Sequence, residues 1–410
     1  MIACTPPMGW NSWDCYGAAV TEDTVRANAE YMAKYLKQYG WEYVVVDIQW
    51  YQPTASSHAY EPFSDPVMDG YGRLLPAPNR FPSAGDGRGF RPLADYVHSL
   101  GLKFGIHIMR GLPRAAAHRR LPILNSGSDC AEAADPNSIC AWNPDMYGLR
   151  CSLPCARAYY DSIFSLYAGW GVDFVKCDDI AREYPRCRRE IEVISEAVRG
   201  CGREMVLSLS PGPAPLEEAG HLKRYANMWR ITDDFWDDWQ LLKGMFERAE
   251  KWCIHAGPGH WPDADMLPVG AVRQCYAEKG WTRFSQAEQR TMMTLWCIMR
   301  SPLMIGGDLT KNDAFTLDLL TRAGILAMGK ESWCAHPLHT SPGSSVWIAP
   351  RKDGAGVYVA AFNLSDREQR ITVSDPEIAF RTAVELWSGK EYNEPAVSLP
   401  PHDAVVWLAK

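Results

Sequence analysis

Over its first three quarters the chain alternates short β-rich runs with segments of helical period, which restricts it to a parallel sheet wound with helices. The β-rich runs fall at residues 8–13, 43–47 (YVVVD), 103–108 (KFGIHI), 172–177 (VDFVKC), 205–209, 227–232, 254–261 and 302–305. Helical patterns lie between them at 21–38, 91–100, 154–169, 185–199, 239–253 and 285–299. The first of these opens with Thr21 as N-cap and Glu22 and Asp23 at the positive end of the helix dipole, then spaces Val25, Ala29, Met32 and Leu36 for burial. Repeated to eight units, the pattern predicts an α/β chain folded as a (β/α)8 TIM barrel.

Two long stretches rich in Pro, Gly, Ser and Asp interrupt the series, at 51–90 and 109–150. Each follows a strand and is therefore expected on the C-terminal face, where barrel active sites are built. Past residue 325 the pattern changes to short strands such as VWIAP, GVYVAAFNL, QRITV, TAVELW and AVVWLA, separated by turn residues. The expected division is a catalytic barrel over 1–325 and a small antiparallel β-sandwich over 326–410.

With 410 residues, 47% of them hydrophobic, the chain has material for a large core. A net charge of −7 without basic clusters argues against nucleic acid or an anionic membrane as partner, and no run is apolar enough to span a bilayer. The N-terminal residues do not read as a secretory signal, and the 13 cysteines are scattered and odd in number, so a cytoplasmic protein is expected. Cys130, Cys140, Cys151 and Cys155 match no zinc spacing and read as ordinary loop cysteines, so no metal is expected. Homo-oligomers are common among barrels of this kind, and nothing in the residues points to an interface.

Aspartates stand at successive strand ends: Asp47, Asp178 and Asp179, Asp233 and Asp234, Asp265, and Asp308. One aspartate after a strand is a turn former or helix N-cap. Several at one face, with Trp10, Trp13, Trp50, Trp229, Trp236 and Trp261 nearby, suit a sugar: rings stack on a pyranose, carboxylates accept from its hydroxyls, and two carboxyl groups flank the scissile bond. Aldolase and metal-dependent hydrolase chemistry on the same barrel are the competing readings, and a carbohydrate-binding barrel without activity is a third.

Five motifs in order, TPPMGWNSW, VKCDD, WRITDDFWDDW, GPGHWPDADML and RSPLMIGGDL, give the first 310 residues a resemblance to glycoside hydrolase family 27. That family comprises melibiase-type α-galactosidases and α-N-acetylgalactosaminidases, with β-L-arabinopyranosidases among them. The resemblance implies a retaining glycosidase without a cofactor, acting on a small glycoside or oligosaccharide. It also implies Asp178 as nucleophile, Lys176 as a sugar-binding cation that keeps that carboxylate ionised, and Asp234 as acid/base, with Asp233 beside it as the alternative. Arg230 and Asp265 match the residues around the 2-hydroxyl, and Trp13 matches the ring that stacks on the sugar.

The departures from the family pattern bear on specificity. Where relatives carry Asp-Asp-Cys-Trp, this chain has Asp47-Ile48-Gln49-Trp50. Asp47 is left for the 4-hydroxyl, whereas Ile48 accepts no hydrogen bond and occupies the place of the hydroxymethyl group. A buried hydroxyl without a partner costs about 1 to 3 kcal/mol. β-L-Arabinopyranose has the ring stereochemistry of α-D-galactopyranose without that group, so it is the expected sugar, ahead of galactose. For galactose, Gln49 or a loop group would have to replace the lost carboxylate. His107 stands at the family's tyrosine after the third strand, as a ligand of the 4-hydroxyl or as a satisfied barrel histidine. Ser210 falls where N-acetylgalactosaminidases carry a serine, which keeps N-acetylgalactosamine as a weaker candidate. Ile180 replaces a cysteine that pairs in relatives, so that disulfide is expected to be absent. Arg110, Arg114 and Trp142 either line the pocket mouth or serve loop packing.

Overall fold

In the computed structural model eight short strands form one parallel sheet that wraps round and closes: β1 (Met8–Asn11), β2 (Tyr43–Val46), β3 (Lys103–Met109), β4 (Phe174–Asp178), β5 (Val206–Leu209), β6 (Met228–Arg230), β7 (Trp261–Asp263) and β8 (Leu303–Ile305). The structure describes residues 2–63, 65–373, 383–394 and 396–409. Thr382, which opens the expected TAVELW strand, lies outside them, as do Met1 and Lys410 at the ends of the expected domains and Ser64 in the first long loop. Strand β1 pairs with both β2 and β8, and the ring closes where Leu267, just past β7, bridges Ile305 of β8. The Leu267 N–H donates to Met304 at 2.8 Å and Gly306 returns a bond to Leu267 at 2.9 Å.

Alternation along the strands sorts the side chains. Tyr43, Val45, Phe174, Val206, Met228, Trp261 and Met304 meet in the barrel interior, while Val44, Val46 and Val175 face the surrounding helices. Those helices are α1 (Glu22–Tyr31), α2 (Arg91–Ser99), α3 (Pro154–Trp170), α4 (Tyr184–Gly200), α5 (Ala219–Tyr225), α6 (Trp239–Trp252), α7 (Gln286–Met299) and α8 (Ala314–Thr321). Helix α1 begins after Thr21, whose N–H donates to Thr24 Oγ1 at 3.0 Å, and it passes through a wider turn at Met32–Leu36 before ending at Tyr39.

Two local expectations change. The seventh strand does not run over 254–261: Cys253–His255 form a tight helical turn, and pairing begins only at Trp261. Pro258 has no N–H to give, and Gly259 sits at φ 87°, so the chain turns there instead of extending. The 109–150 loop is less irregular than its composition suggests. Within it Leu112–Pro113, Met146–Leu149 and Ala134–Ile139 form a small antiparallel sheet beside the barrel mouth.

Beyond the barrel, six antiparallel strands form one sheet, with Ser344–Pro350, Val357–Asn363 and Ala404–Ala409 at its centre, and Gln369–Thr372 pairs with Ala396–Leu399 in a second. Val359, Ala361, Val405 and Trp407 of the first sheet pack with Ile371 and Leu399 of the second, which makes this a β-sandwich. Its other face docks on the barrel: Phe362 meets Phe246 of α6 at 4.9 Å, and Trp387 donates to Thr294 of α7 at 3.1 Å. Among the described residues no helix is long and apolar enough to cross a membrane, and no disulfide links the cysteines.

Candidate active site

The C-terminal ends of the strands open into a cleft of about 320 Å³ lined by Trp13, Asp14, Asp47, Ile48, Tyr60, Trp142, Lys176, Asp178, Arg182, Pro211, Arg230, Asp233, Asp234, Phe235, Trp236, Asp265 and Met266. Eight of the ten residues expected in the site are in this wall. His107 and Ser210 stand behind it.

Asp47, at the end of β2, is buried and held on every side. Its Oδ2 accepts from Asn11 at 2.7 Å and from Lys176 at 2.9 Å, its Oδ1 from the Ile48 N–H at 2.8 Å, and its own N–H donates to Ser12 Oγ at 2.9 Å. Burial works against its charge, but the Lys176 ammonium and the other bonds outweigh it, and the carboxyl titrates below its ordinary value. Lys176 is raised in return, with Asp47 and then Asp178 overcoming the effect of burial. Asn11 and Ser12 were legible only as part of MGWNSW; their task is to fix this carboxylate.

Asp178 ends β4. Its Oδ2 lies 3.0 Å from Nε2 of His107 and its Oδ1 accepts from the Asp179 N–H at 3.1 Å. Burial would push this carboxyl up; the His107 hydrogen bond, then the Lys176 charge, more than reverse it, and the group sits well below the usual carboxylate range. His107 is therefore engaged with the carboxylate at 0% exposure and presents no nitrogen to the cleft wall.

Across the cleft Arg230 of β6 donates to two carboxylates, Asp265 at 2.6 Å and Asp234 at 3.2 Å. Asp265 also accepts from the Phe235 N–H at 2.7 Å. Burial raises Asp265 above the ordinary carboxylate range, and Asp234 and Asp263 add to this against the one guanidinium. Asp233 turns the other way: it pairs with Arg182 at 2.6 Å, joining the loop after β4 to the loop after β6 at the mouth.

The aromatic contribution is narrower than the strand-end tryptophans suggest. Trp10, Trp50, Trp229 and Trp261 are fully buried; Trp10 and Trp50 spend their indole N–H on the carbonyls of Gly307 and His107. Trp13, Trp142 and Trp236 reach the cleft, and Tyr60 from the first long loop stacks on Trp13 at 5.2 Å with the rings 6° apart. Asp308 is a cap, accepting from Thr310 N–H at 3.1 Å and pairing with Lys311, and takes no part in the wall. Gln49 is tied to Glu61, accepting from its N–H at 2.8 Å, and does not replace a carboxylate beside Ile48. Ser210 is buried, its backbone carbonyl accepting from Ile180 N–H at 3.0 Å. Arg110 is buried against Asp179 and Glu190, and Arg114 lies over the rings of Phe63 and Tyr147; both are packing residues. Besides Pro211, Phe235 and Met266, the cleft residues that sequence reasoning passed over are Asp14, Tyr60 and Arg182.

A (β/α)8 barrel whose cleft gathers anchored carboxylates, three cations and aromatic rings at the strand ends defines a glycoside hydrolase. Comparison with known proteins agrees. Residues 5–120 and 140–331 match the family model described as alpha galactosidase A, and residues 341–409 match that of the alpha galactosidase C-terminal beta sandwich domain. The chain belongs to glycoside hydrolase family 27. A crystal structure of a family 27 β-L-arabinopyranosidase from Geobacillus stearothermophilus is 52% identical, with a TM-score of 0.95, covering 100% of this chain and 97% of that one. An aspartate-to-alanine variant of that enzyme in complex with arabinose aligns equally well, at 52% identity and TM-score 0.96 over 100% of this chain and 98% of the other. Among more distant relatives, an α-galactosidase from Coffea arabica is 28% identical over 94% of this chain and 88% of its own length.

Proposed function

We propose that this glycosidase is a β-L-arabinopyranosidase that releases a terminal β-L-arabinopyranose, with retention, from small glycosides or oligosaccharides. The observation that carries the reading is Ile48: it is 1% exposed, it lines the cleft directly after Asp47, and no carboxylate stands in its place. An apolar wall there favours a pyranose without a sixth carbon, because a 6-hydroxyl against it would lose its partner at a cost of about 1 to 3 kcal/mol. The similarity to the Geobacillus enzyme supports the same choice. The cytoplasmic setting belongs to this proposal and rests on the odd, scattered cysteines.

In this reading Asp178, kept ionised by His107 and Lys176, attacks the anomeric carbon as the bond to the aglycone oxygen breaks. Asp234, protonated, gives its proton to that departing oxygen. A water then attacks the anomeric carbon of the glycosyl ester while the Asp234 carboxylate takes its proton, and the ester bond breaks to return Asp178. Asp234 suits the acid role better than Asp233 because it faces Arg230 inside the cleft, whereas Asp233 is bound to Arg182 at the mouth. Asp47 and Lys176 would take the 3- and 4-hydroxyl side of the sugar, and Arg230 with Asp265 the 2-hydroxyl side.

The test is kcat/KM measured side by side for the nitrophenyl β-L-arabinopyranoside, α-D-galactopyranoside and N-acetyl-α-D-galactosaminide. The expected result is a preference of about tenfold or more for the arabinoside, equal to roughly 1.4 kcal/mol in the transition state. Preference for the galactoside would overturn the arabinopyranosidase reading and leave an α-galactosidase.

A further inference from the structure

Asp14 follows Trp13 just past β1 and is 1% exposed, yet it forms part of the cleft wall. The other carboxylates of that wall are all engaged: Asp47 with Asn11 and Lys176, Asp178 with His107, Asp234 and Asp265 with Arg230, and Asp233 with Arg182. Among the described residues Oδ2 of Asp14 has no hydrogen-bond partner. Lys176 and Arg230, the cations nearest the base of the cleft, are already committed to those neighbours.

The packing makes room for this group. A Cβ added at Gly306, just past β8, would stand 2.0 Å from Asp14 Oδ2, so a side chain there would displace the carboxyl. An acid in such a place does not ionise readily. Burial raises its titration well above the ordinary value; Asp265 just past β7, Asp234 beyond β6 and Asp47 at the end of β2 add to this, with Lys176 of β4 opposing. Burial and its carboxylate neighbours favour the neutral acid, a form able to donate as well as accept, which a carboxylate cannot do. Buried polar groups without partners are costly, and cluster where a ligand supplies the partner.

We propose that Asp14 is a sugar-binding residue whose carboxyl group exchanges a hydrogen bond with a hydroxyl of the bound glycone. The inference rests on the cleft being the sugar site and not on which sugar fills it. It also accounts for Gly306 in the MIGGD run, which is needed to seat the acid.

Two variants test it, with the nitrophenyl β-L-arabinopyranoside as substrate and free L-arabinose as competing ligand. Asp14→Leu removes both donor and acceptor while keeping the branching at Cγ, and Asp14→Asn keeps both. The expected result is that Asp14→Leu weakens arabinose inhibition and raises KM by about tenfold or more, with an unchanged or higher melting temperature because an unsatisfied polar group is gone. Asp14→Asn should stay within about threefold of the parent on both readouts. Asp14→Ala takes the place of the leucine variant if that chain does not fold. Arabinose inhibition and KM within about twofold of the parent in Asp14→Leu would overturn the proposal. So would a lowered melting temperature with a matching fall in kcat that asparagine does not restore, since that marks a purely structural residue. Should the galactoside prove the better substrate, the same variants are read with it and with galactose, so the two proposals fail separately.

Discussion

His107 Nε2 lies 3.0 Å from Oδ2 of Asp178, and the imidazole is completely buried between β3 and the cleft wall. A carboxylate only accepts, so the ring nitrogen is the donor; Nδ1 has no hydrogen-bond partner among the described residues. The pair makes His107 a positioning residue for the proposed nucleophile.

A substitution that removes this donor should act on both rate and pH profile. Asp178 titrates below the ordinary carboxylate value, so its reactive form is present above that depressed value and is lost as pH falls through it. Without the donor the value rises, and the acid-side loss of kcat/KM should begin at higher pH. For His107→Leu we expect a fall of about ten- to a hundredfold near neutrality, the weight of one hydrogen bond to a charged group. His107→Gln, which retains an N–H, should recover part of both effects. An acid limb that stays in place in the leucine variant would show that His107 only fills space.

Asp233 and Asp234 are adjacent but should behave differently. Asp234→Ala removes the proposed proton donor, so hydrolysis of glycosides with poor leaving groups should fall by about 10² to 10⁴, and nitrophenyl glycosides, which leave without help, much less. Asp233→Ala breaks the exposed bridge to Arg182, worth about 0 to 1 kcal/mol, and the bond its Oδ1 accepts from the Asp234 N–H at 2.9 Å, and should cost both substrates equally. A loss in Asp233→Ala that depends on the leaving group would reverse the assignment.

The barrel was legible because its strands and helices write different periods into the chain, and YVVVD or VKCDD end in the very residues that the C-terminal face displays. The seventh strand was misplaced because three residues, Trp261 to Asp263, carry too little pattern against the Gly and Pro before them. Asp178 and Asp234 could be placed at the cleft from position, since a strand end determines where they emerge, whereas Lys176 came only from the family resemblance. Which way a side chain turns there is set by neighbours distant in sequence. His107 turns to Asp178, 71 residues on. Tyr60 reaches Trp13 only through the path of a long loop, and Asp14 reads locally as a turn former until Gly306 is seen beside it.

Arg110 shows the cost of a buried cation with two partners. It pairs with Asp179 at 2.8 Å and Glu190 at 3.3 Å, donates to the Asp179 carbonyl at 2.7 Å, and its backbone N–H holds the Asp178 carbonyl at 3.1 Å. Arg110→Ala leaves two buried carboxylates without their cation and should lower unfolding stability by about 3 to 5 kcal/mol. Urea denaturation at neutral pH measures this. A loss under about 1 kcal/mol would mean that the loop relaxes and hydrates the acids.

Ile48 separates two ways of rejecting a sixth carbon. If the isoleucine acts by bulk alone, Ile48→Gly should raise kcat/KM on the α-galactoside relative to the β-L-arabinopyranoside as much as Ile48→Asp does. If the missing acceptor matters as well, the aspartate variant should gain more, because its carboxylate can take the 6-hydroxyl while the glycine leaves that hydroxyl to water. We expect the aspartate variant to shift the ratio toward galactoside by about tenfold or more, and the glycine variant by less. A new carboxylate beside Asp47 draws on the same Lys176 ammonium, so activity on the arabinoside should fall in Ile48→Asp and hold better in Ile48→Gly. An unchanged ratio in both variants would place the sixth carbon away from Ile48 and remove it as the specificity residue.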